Sequence, residues 1–198
     1  MIELRDPALL DPGFRADVER LLAALAAQGY EFRLSTTLRT PWQQARLWRG
    51  SRSRAVISAR IVDLRSSGAG YLADVLEAVG PQSGPPVTRA IPGLSWHQWG
   101  EAADLFLVER GAAVWDAGHA GYHALAITAE SLGLVSGRSF GDPPHVQARR
   151  TEPSAMPLRE VAAEMRERFG ASERIVYWLP GLGDMVDADT TSPHECQP

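Results

Sequence analysis

Residues 102–108 read Ala-Ala-Asp-Leu-Phe-Leu-Val, a run of small and apolar side chains with one acid inside it. Such a run is short enough for a buried strand and too short for most helices. An ionised carboxylate in that setting is costly unless something positive stands beside it. The chain must therefore fold so that a cation, either a metal ion or an arginine, reaches Asp104. Few small folds meet that demand, and the residues around the run show how it could be met.

Seven positions before Asp104 stands His97, in Ser95-Trp96-His97-Gln98-Trp99-Gly100. Further on comes Asp142-Pro143-Pro144-His145, in which two prolines stiffen the link between a second acid and a second imidazole. Two histidines and one carboxylate, with a spare acid beside the last, fit an open catalytic zinc site. A closed structural site would fill all four positions with protein, usually with cysteine, and the chain has one cysteine, Cys196. The competing readings are a core histidine with a capping Asp104, and a rigid proline turn with solvated flanks. If His145 is a ligand, Asp142 is within reach of the attacking water, where a general base must act. Gly100 and Ala103 remove bulk between the two candidate ligands, which suits either a metal centre or close packing of backbone. Trp96 and Trp99 either wall the site or belong to the core. Arg39 is either an ordinary surface residue or a cation for a substrate carboxylate or an oxyanion.

The remaining pattern alternates helices with short strands. Asp11-Pro12 is a capping start for a helix whose apolar residues are Phe14, Val18, Leu21, Leu22 and Leu25. Residues 32–39 alternate with a period of two and predict a strand ending at Arg39. Thr40-Pro41 opens a second helix that closes at Gly50. Residues 51–60 predict a basic loop leading into a short helix, 71–79 a helix, and 80–92 a loop rich in proline and glycine. A helix is predicted over 118–132, with a turn or short strand over 133–139. Another helix is predicted over 158–169, carrying Val161, Met165 and Phe169. Residues 175–179 read as a short strand, and 181–198 as a poorly ordered tail. His119 and His123, four apart on a helix, lack the glutamate of the zinc-protease pattern and read as surface or packing residues. His194, Glu195 and Cys196 fall in the tail and are set aside.

The formal charge is −4 and the 20 Lys+Arg are scattered, so neither nucleic acid nor anionic lipid is an expected partner. No run approaches the ~20 apolar residues of a membrane span. The charged start, Met1-Ile2-Glu3-Leu4-Arg5-Asp6, has no secretory pattern. The expectation is a monomer made in the cytoplasm that reaches a cell wall only by release or by another export system.

The set Ser95-x-His97-x-x-Gly100-x-Ala102-x-Asp104, then Asp142-x-x-His145, resembles the zinc D,D-carboxypeptidases and L-alanyl-D-glutamate endopeptidases of peptidoglycan. That family includes VanY-type enzymes and phage endolysins. Leu38-Arg39-Thr40-Pro41-x-x-Gln44-x-x-Leu47-Trp48 is similar to its arginine segment. The likeness spans roughly residues 14–148 and departs from the family at Leu38, at residues 136–140 and at Val146. It implies Zn2+ held by His97, Asp104 and His145, with Asp142 as general base. It further implies Arg39 as catalytic and substrate-binding, and Gln44 and Ser95 as substrate-binding. The implied fold is α+β, a small and mainly antiparallel sheet carrying the zinc site and packed by helices, similar to D,D-peptidases and hedgehog domains. The implied organisation is a catalytic domain over 1–150 and a C-terminal extension over 151–198. The implied activity is hydrolysis of stem peptides in peptidoglycan or muropeptides, at L-Ala-D-Glu or D-Ala-D-Ala. The alternatives are a non-catalytic zinc-containing binding domain of the same fold, and a zinc amidase of other specificity.

Overall fold

The computed structural model describes residues 5–85, 87–148 and 153–170. The helices are α1 (Pro12–Ala27), α2 (Pro41–Arg49), α3 (Arg54–Ser66), α4 (Gly70–Ala78), α5 (Ala120–Ser131) and α6 (Leu158–Phe169). The strands are β1 (Glu31–Thr36), β2 (Ala102–Glu109), β3 (Ala112–Val114), β4 (Val135–Ser136) and β5 (His145–Gln147). They form one antiparallel sheet in the order β1-β2-β5-β4, with β3 also paired to β2. The fold is thus α+β with a small antiparallel sheet. Among the described residues no helix is long and apolar enough to cross a membrane.

Local chemistry explains most of the boundaries. The Asp11 carboxylate accepts from the amides of Gly13 and Phe14, satisfying donors that the first turn of α1 leaves free. Helix α2 begins with a reciprocal capping box between Thr40 and Gln43. The run at 102–108 is the central strand β2, which turns Ala103, Leu105 and Leu107 into a core shared with Phe14, Val18, Leu21 and Leu25 of α1. Tyr122, Leu125 and Ala129 of α5 close the same core.

Two local expectations differ from the structure. Residues 51–60 are not a loop with a short helix after it: Ser53 caps α3, a full helix of 13 residues. Its buried residues, Ile57, Ile61 and Leu64, recur at helical spacing among arginines and serines that face water. The strand at 32–39 stops at Thr36, because the pairing with β2 shifts register between Leu34 and Thr36. Residues 37–39 then leave the sheet, and the Arg39 amide donates to the His97 carbonyl over 3.2 Å. The calls at 175–179 and 181–198 lie outside the described residues.

A second core joins α2, α3, α4 and α6, with Leu64, Leu72, Leu76, Val161 and Met165 at its centre. Helix α6 also touches the chain just ahead of His97. A Cβ on Gly93 would lie 2.5 Å from a methyl of Val161, and Gly93 adopts φ +85, so both space and backbone call for glycine there. The Gly93 amide donates to Gln98 Oε1 and its carbonyl accepts from Trp99 Nε1. Arg168 lies over the Trp99 ring. Trp96 meets Trp99 edge to face, and Trp99 serves this helix contact. Gly100 (φ +74) faces the backbone of residues 9–11, with Asp11 N 2.9 Å from where a Cβ would stand, so its small size admits neighbouring chain and not a metal centre. Truncating Met165, which is fully buried on α6, should destabilise the protein by about 2–4 kcal/mol. Urea denaturation checks this, and an unchanged midpoint for Met165→Ala would mean that α6 is not part of the cooperative core.

Candidate metal centre

Asp104 leaves β2 on the face opposite the Leu105 and Leu107 core, and its register partner across the ladder is His145. Residues directly opposite in an antiparallel pair share a face, so pairing alone brings this acid and this imidazole together. His97 arrives on a 3-10 turn, Trp96–Gln98, held against residue 39 by the amide bond described above. The result is a group of three donors, His97, Asp104 and His145, able to hold a metal ion. His97 Nε2 and Asp104 Oδ1 are 3.2 Å apart, His145 Nδ1 and Asp104 Oδ1 3.1 Å, and the two ring nitrogens 3.3 Å.

The outward side of each ring fixes its proton. His97 Nδ1 is 3.1 Å from the Thr37 carbonyl, which can only accept, so that nitrogen is the donor. His145 Nε2 is 3.0 Å from Gln147 Oε1 and donates to it. These assignments follow from the acceptors. In neutral imidazoles they leave lone pairs on His97 Nε2 and His145 Nδ1, both facing the Asp104 carboxylate. Three electron-rich atoms then converge with no proton between them, an arrangement that calls for a cation. Bonds of about 2.0–2.1 Å at tetrahedral angles would set ligand atoms about 3.3–3.4 Å apart. The observed triangle fits that spacing closely, and its outer hydrogen bonds are those that orient metal-binding histidines.

Burial and charge act differently on the three groups. Burial pushes His97 below its ordinary value, toward the neutral form a metal requires. Burial alone would raise Asp104, but the charges and hydrogen bonds of His97 and His145 outweigh it and hold the carboxyl well below its usual range. Burial would lower His145, yet its hydrogen bond and charge contact with Asp104, helped by Gln147 and Asp142, raise it.

Arg39 reaches the same carboxylate: its Nη2 lies 3.5 Å from Asp104 Oδ2. Both cations open to Asp104, the arginine and the metal, can therefore act together. Gln44 is fully buried, and its Oε1 accepts from Arg39 Nη1 while its Nε2 donates to Ala90 O and Thr88 Oγ1. Its amide is thus engaged in holding Arg39. Asp142 is exposed and outside the three-atom group. Partial withdrawal from water and the like charge of Asp104 push its carboxyl up, against the pull of His145, His97 and Arg39. Ser95 is partly exposed at the start of the His97 turn, which its hydroxyl does not cap.

No family model matches the chain, and no curated protein matches it. Among solved structures, it is similar to a vancomycin-resistance D,D-pentapeptidase VanY in complex with Zn(II), at 17% identity and a TM-score of 0.41. That match covers 80% of this chain and 78% of the other. It is likewise similar to VanYB in complex with D-alanine-D-alanine, at 16% identity, a TM-score of 0.41, and 80% and 77% coverage. The chain resembles VanY-type peptidases in outline. At this overlap the likeness assigns no residue, and the site rests on its own geometry.

Two residues that support the centre escape sequence reasoning. Gln147 orients His145, though its position two residues on in a strand is a readable hint. Gly137 packs against the Asp142–His145 turn so tightly that a Cβ would lie 2.2 Å from Asp142 O and 2.6 Å from His145 Cβ. His119 instead caps α5 and pairs with Glu109, and His123 contacts Arg138, so neither joins the centre.

Two outcomes are expected. Gly137→Ala should displace His145 and weaken Zn(II) binding by an order of magnitude or more, as measured by chelator competition; unchanged affinity would remove Gly137 from the support of the site. Because the metal-free protein holds a proton on His145 above its ordinary 6.5, cation binding must release it. Affinity should be level above the raised value and fall about tenfold per pH unit below it. Isothermal titration in buffers of different ionisation enthalpy reads the proton release directly, and its absence near neutral pH would refute the assignment.

Proposed function

We propose that the protein is a zinc-dependent peptidase that hydrolyses stem peptides of peptidoglycan, with His97, Asp104 and His145 as zinc ligands. The observation that carries the metal is the convergence of His97 Nε2, His145 Nδ1 and Asp104 Oδ1 in a triangle 3.1–3.3 Å on a side. The substrate class follows from the resemblance of the motif set.

A zinc ion in that group would supply Lewis-acid polarisation of the scissile carbonyl and acidify a water molecule beside it. The chain's own residues do the rest. Thr37 O and Gln147 Oε1 hold the two imidazoles in the tautomers that face inward. Gln44 holds the Arg39 guanidinium beside Asp104, where it can meet negative charge growing on the carbonyl oxygen or pair a substrate carboxylate. Asp142, exposed beside the centre, accepts a proton from the attacking water as the water oxygen bonds to the carbonyl carbon. It returns that proton to the amine as the carbon–nitrogen bond breaks. Ser95, at the mouth of the His97 turn, is assigned to the substrate.

Asp142→Ala should keep its zinc and lose at least about a hundredfold in kcat, whereas His145→Ala should lose zinc as well. Metal content by mass spectrometry, measured beside turnover, separates the two roles. Full activity in Asp142→Ala would end the base assignment. Digestion of purified peptidoglycan, with the new amino termini identified, tests the reaction itself. Free D-alanine marks a carboxypeptidase and a new D-Glu terminus an L-Ala-D-Glu endopeptidase. A new L-Ala terminus, from hydrolysis of the amide that joins the stem to the sugar, marks an amidase, and no product would leave a binding domain.

A further inference from the structure

The sheet face that bears the metal group continues past it. On β2, Asp104 and Phe106 point to the same side, away from the core that takes Leu105 and Leu107. Along one edge of β2, Asp104 is paired with His145 of β5. Further along that edge the β3 ladder pairs Leu107 with Val114, and the same register sets Trp115 opposite Phe106. The two rings meet with centroids 5.4 Å apart, tilted by 30°. Two cross-strand pairs thus follow each other on one face: the ligand pair Asp104/His145, then the aromatic pair Phe106/Trp115. They are about 6.6–6.8 Å apart along the strand.

Trp115 is 56% exposed, although Phe106 covers one side of it. The open part of the indole is apolar surface that a ligand could cover with a gain in free energy. Phe106 backs the indole, and what stays exposed is one planar aromatic surface. Polar groups border it on β1, where Arg33 is the register partner of Phe106 and pairs with Glu31. A flat apolar face bordered by polar groups matches a pyranose ring, which has an apolar C–H face and polar edges.

We propose that Phe106 and Trp115 form a sugar-binding platform that docks the glycan of the substrate beside the metal centre. This rests on the peptidoglycan reading above and sharpens it: the preferred substrate is a stem peptide still attached to its sugar. The two-residue spacing further favours cleavage near the sugar end of the stem.

The test has two arms. In the first, a trimer of N-acetylglucosamine, which contains no peptide bond to the stem, is titrated into wild-type protein and Trp115→Ala by NMR. Wild type should bind it, Trp115→Ala should not, and Trp115→Phe should keep part of the binding. Failure of wild type to bind, or equal binding by Trp115→Ala, overturns the platform whether or not the protein is a peptidase. In the second arm, kcat/KM is measured for a disaccharide-linked stem peptide and for the same peptide without sugar. The ratio of the two should fall roughly three- to tenfold in Trp115→Ala, through KM. An unchanged ratio would show that the platform does not serve the reaction, even where peptidase activity is confirmed. Cleavage of neither substrate by wild type, with trimer binding lost in Trp115→Ala, would uphold the sugar site and refute the peptidase reading.

Discussion

The arrangement depends on one electrostatic problem, a carboxylate set into the middle of the central strand. Asp104 is part-buried, with its side chain 19% exposed. Water cannot fully solvate it, and it sits where three parts of the chain meet. The solution is shared. Arg39 approaches one oxygen, and the other faces two imidazoles whose protons are drawn outward by Thr37 and Gln147. Removing the outward acceptors would let the rings turn or take up protons inward, and the group would become a hydrogen-bonded cluster with no call for a metal. The distinction between a structural ion pair and a candidate catalytic centre therefore lies in atoms that are not ligands.

Two cores hold that group in place from different sides. The α1–sheet–α5 core fixes β2, and with it Asp104 and its ladder partner His145. The helical core of α2, α3, α4 and α6 fixes the arginine segment and the turn that carries His97. Arg39 precedes α2, and Gln44 lies within it, so the capping box that starts α2 also sets the distance from Gln44 back to Arg39. Helix α6 contributes without approaching the ligands, by packing Val161 on Gly93 and Arg168 on Trp99.

The parts of this plan that were legible in the sequence are those where a local signal and a global need agree. The caps at Asp11-Pro12 and Thr40-Pro41 announced α1 and α2, and the apolar run announced β2. The candidate ligands were legible because few residue types bind metal and the cysteine count excluded the commonest structural alternative. Helix α3 was obscured because a helix burying three residues among arginines and serines has little apolar signal, although its Ser53 cap was visible. Strands β3 and β5 have three residues each and exist by pairing with β2, which no local pattern encodes. Gly137 escapes notice because the need for glycine there comes from contact with the Asp142–His145 turn, and of the two readings open for Gly100 the close-packing one holds, against the chain at residues 9–11. The Thr37 carbonyl that orients His97 is a backbone atom, and side-chain identity says nothing about it.

The central claim is that the lone pairs of two imidazoles and one carboxylate converge on a single cation. X-ray absorption at the zinc edge, on protein loaded with one equivalent of Zn(II), tests it most directly. The account predicts a first shell of nitrogen and oxygen alone at about 2.0–2.1 Å, with the multiple-scattering signature of two imidazoles and no sulfur. A shell containing sulfur, a single imidazole, or six oxygen-like neighbours typical of a hydrated surface ion would contradict it.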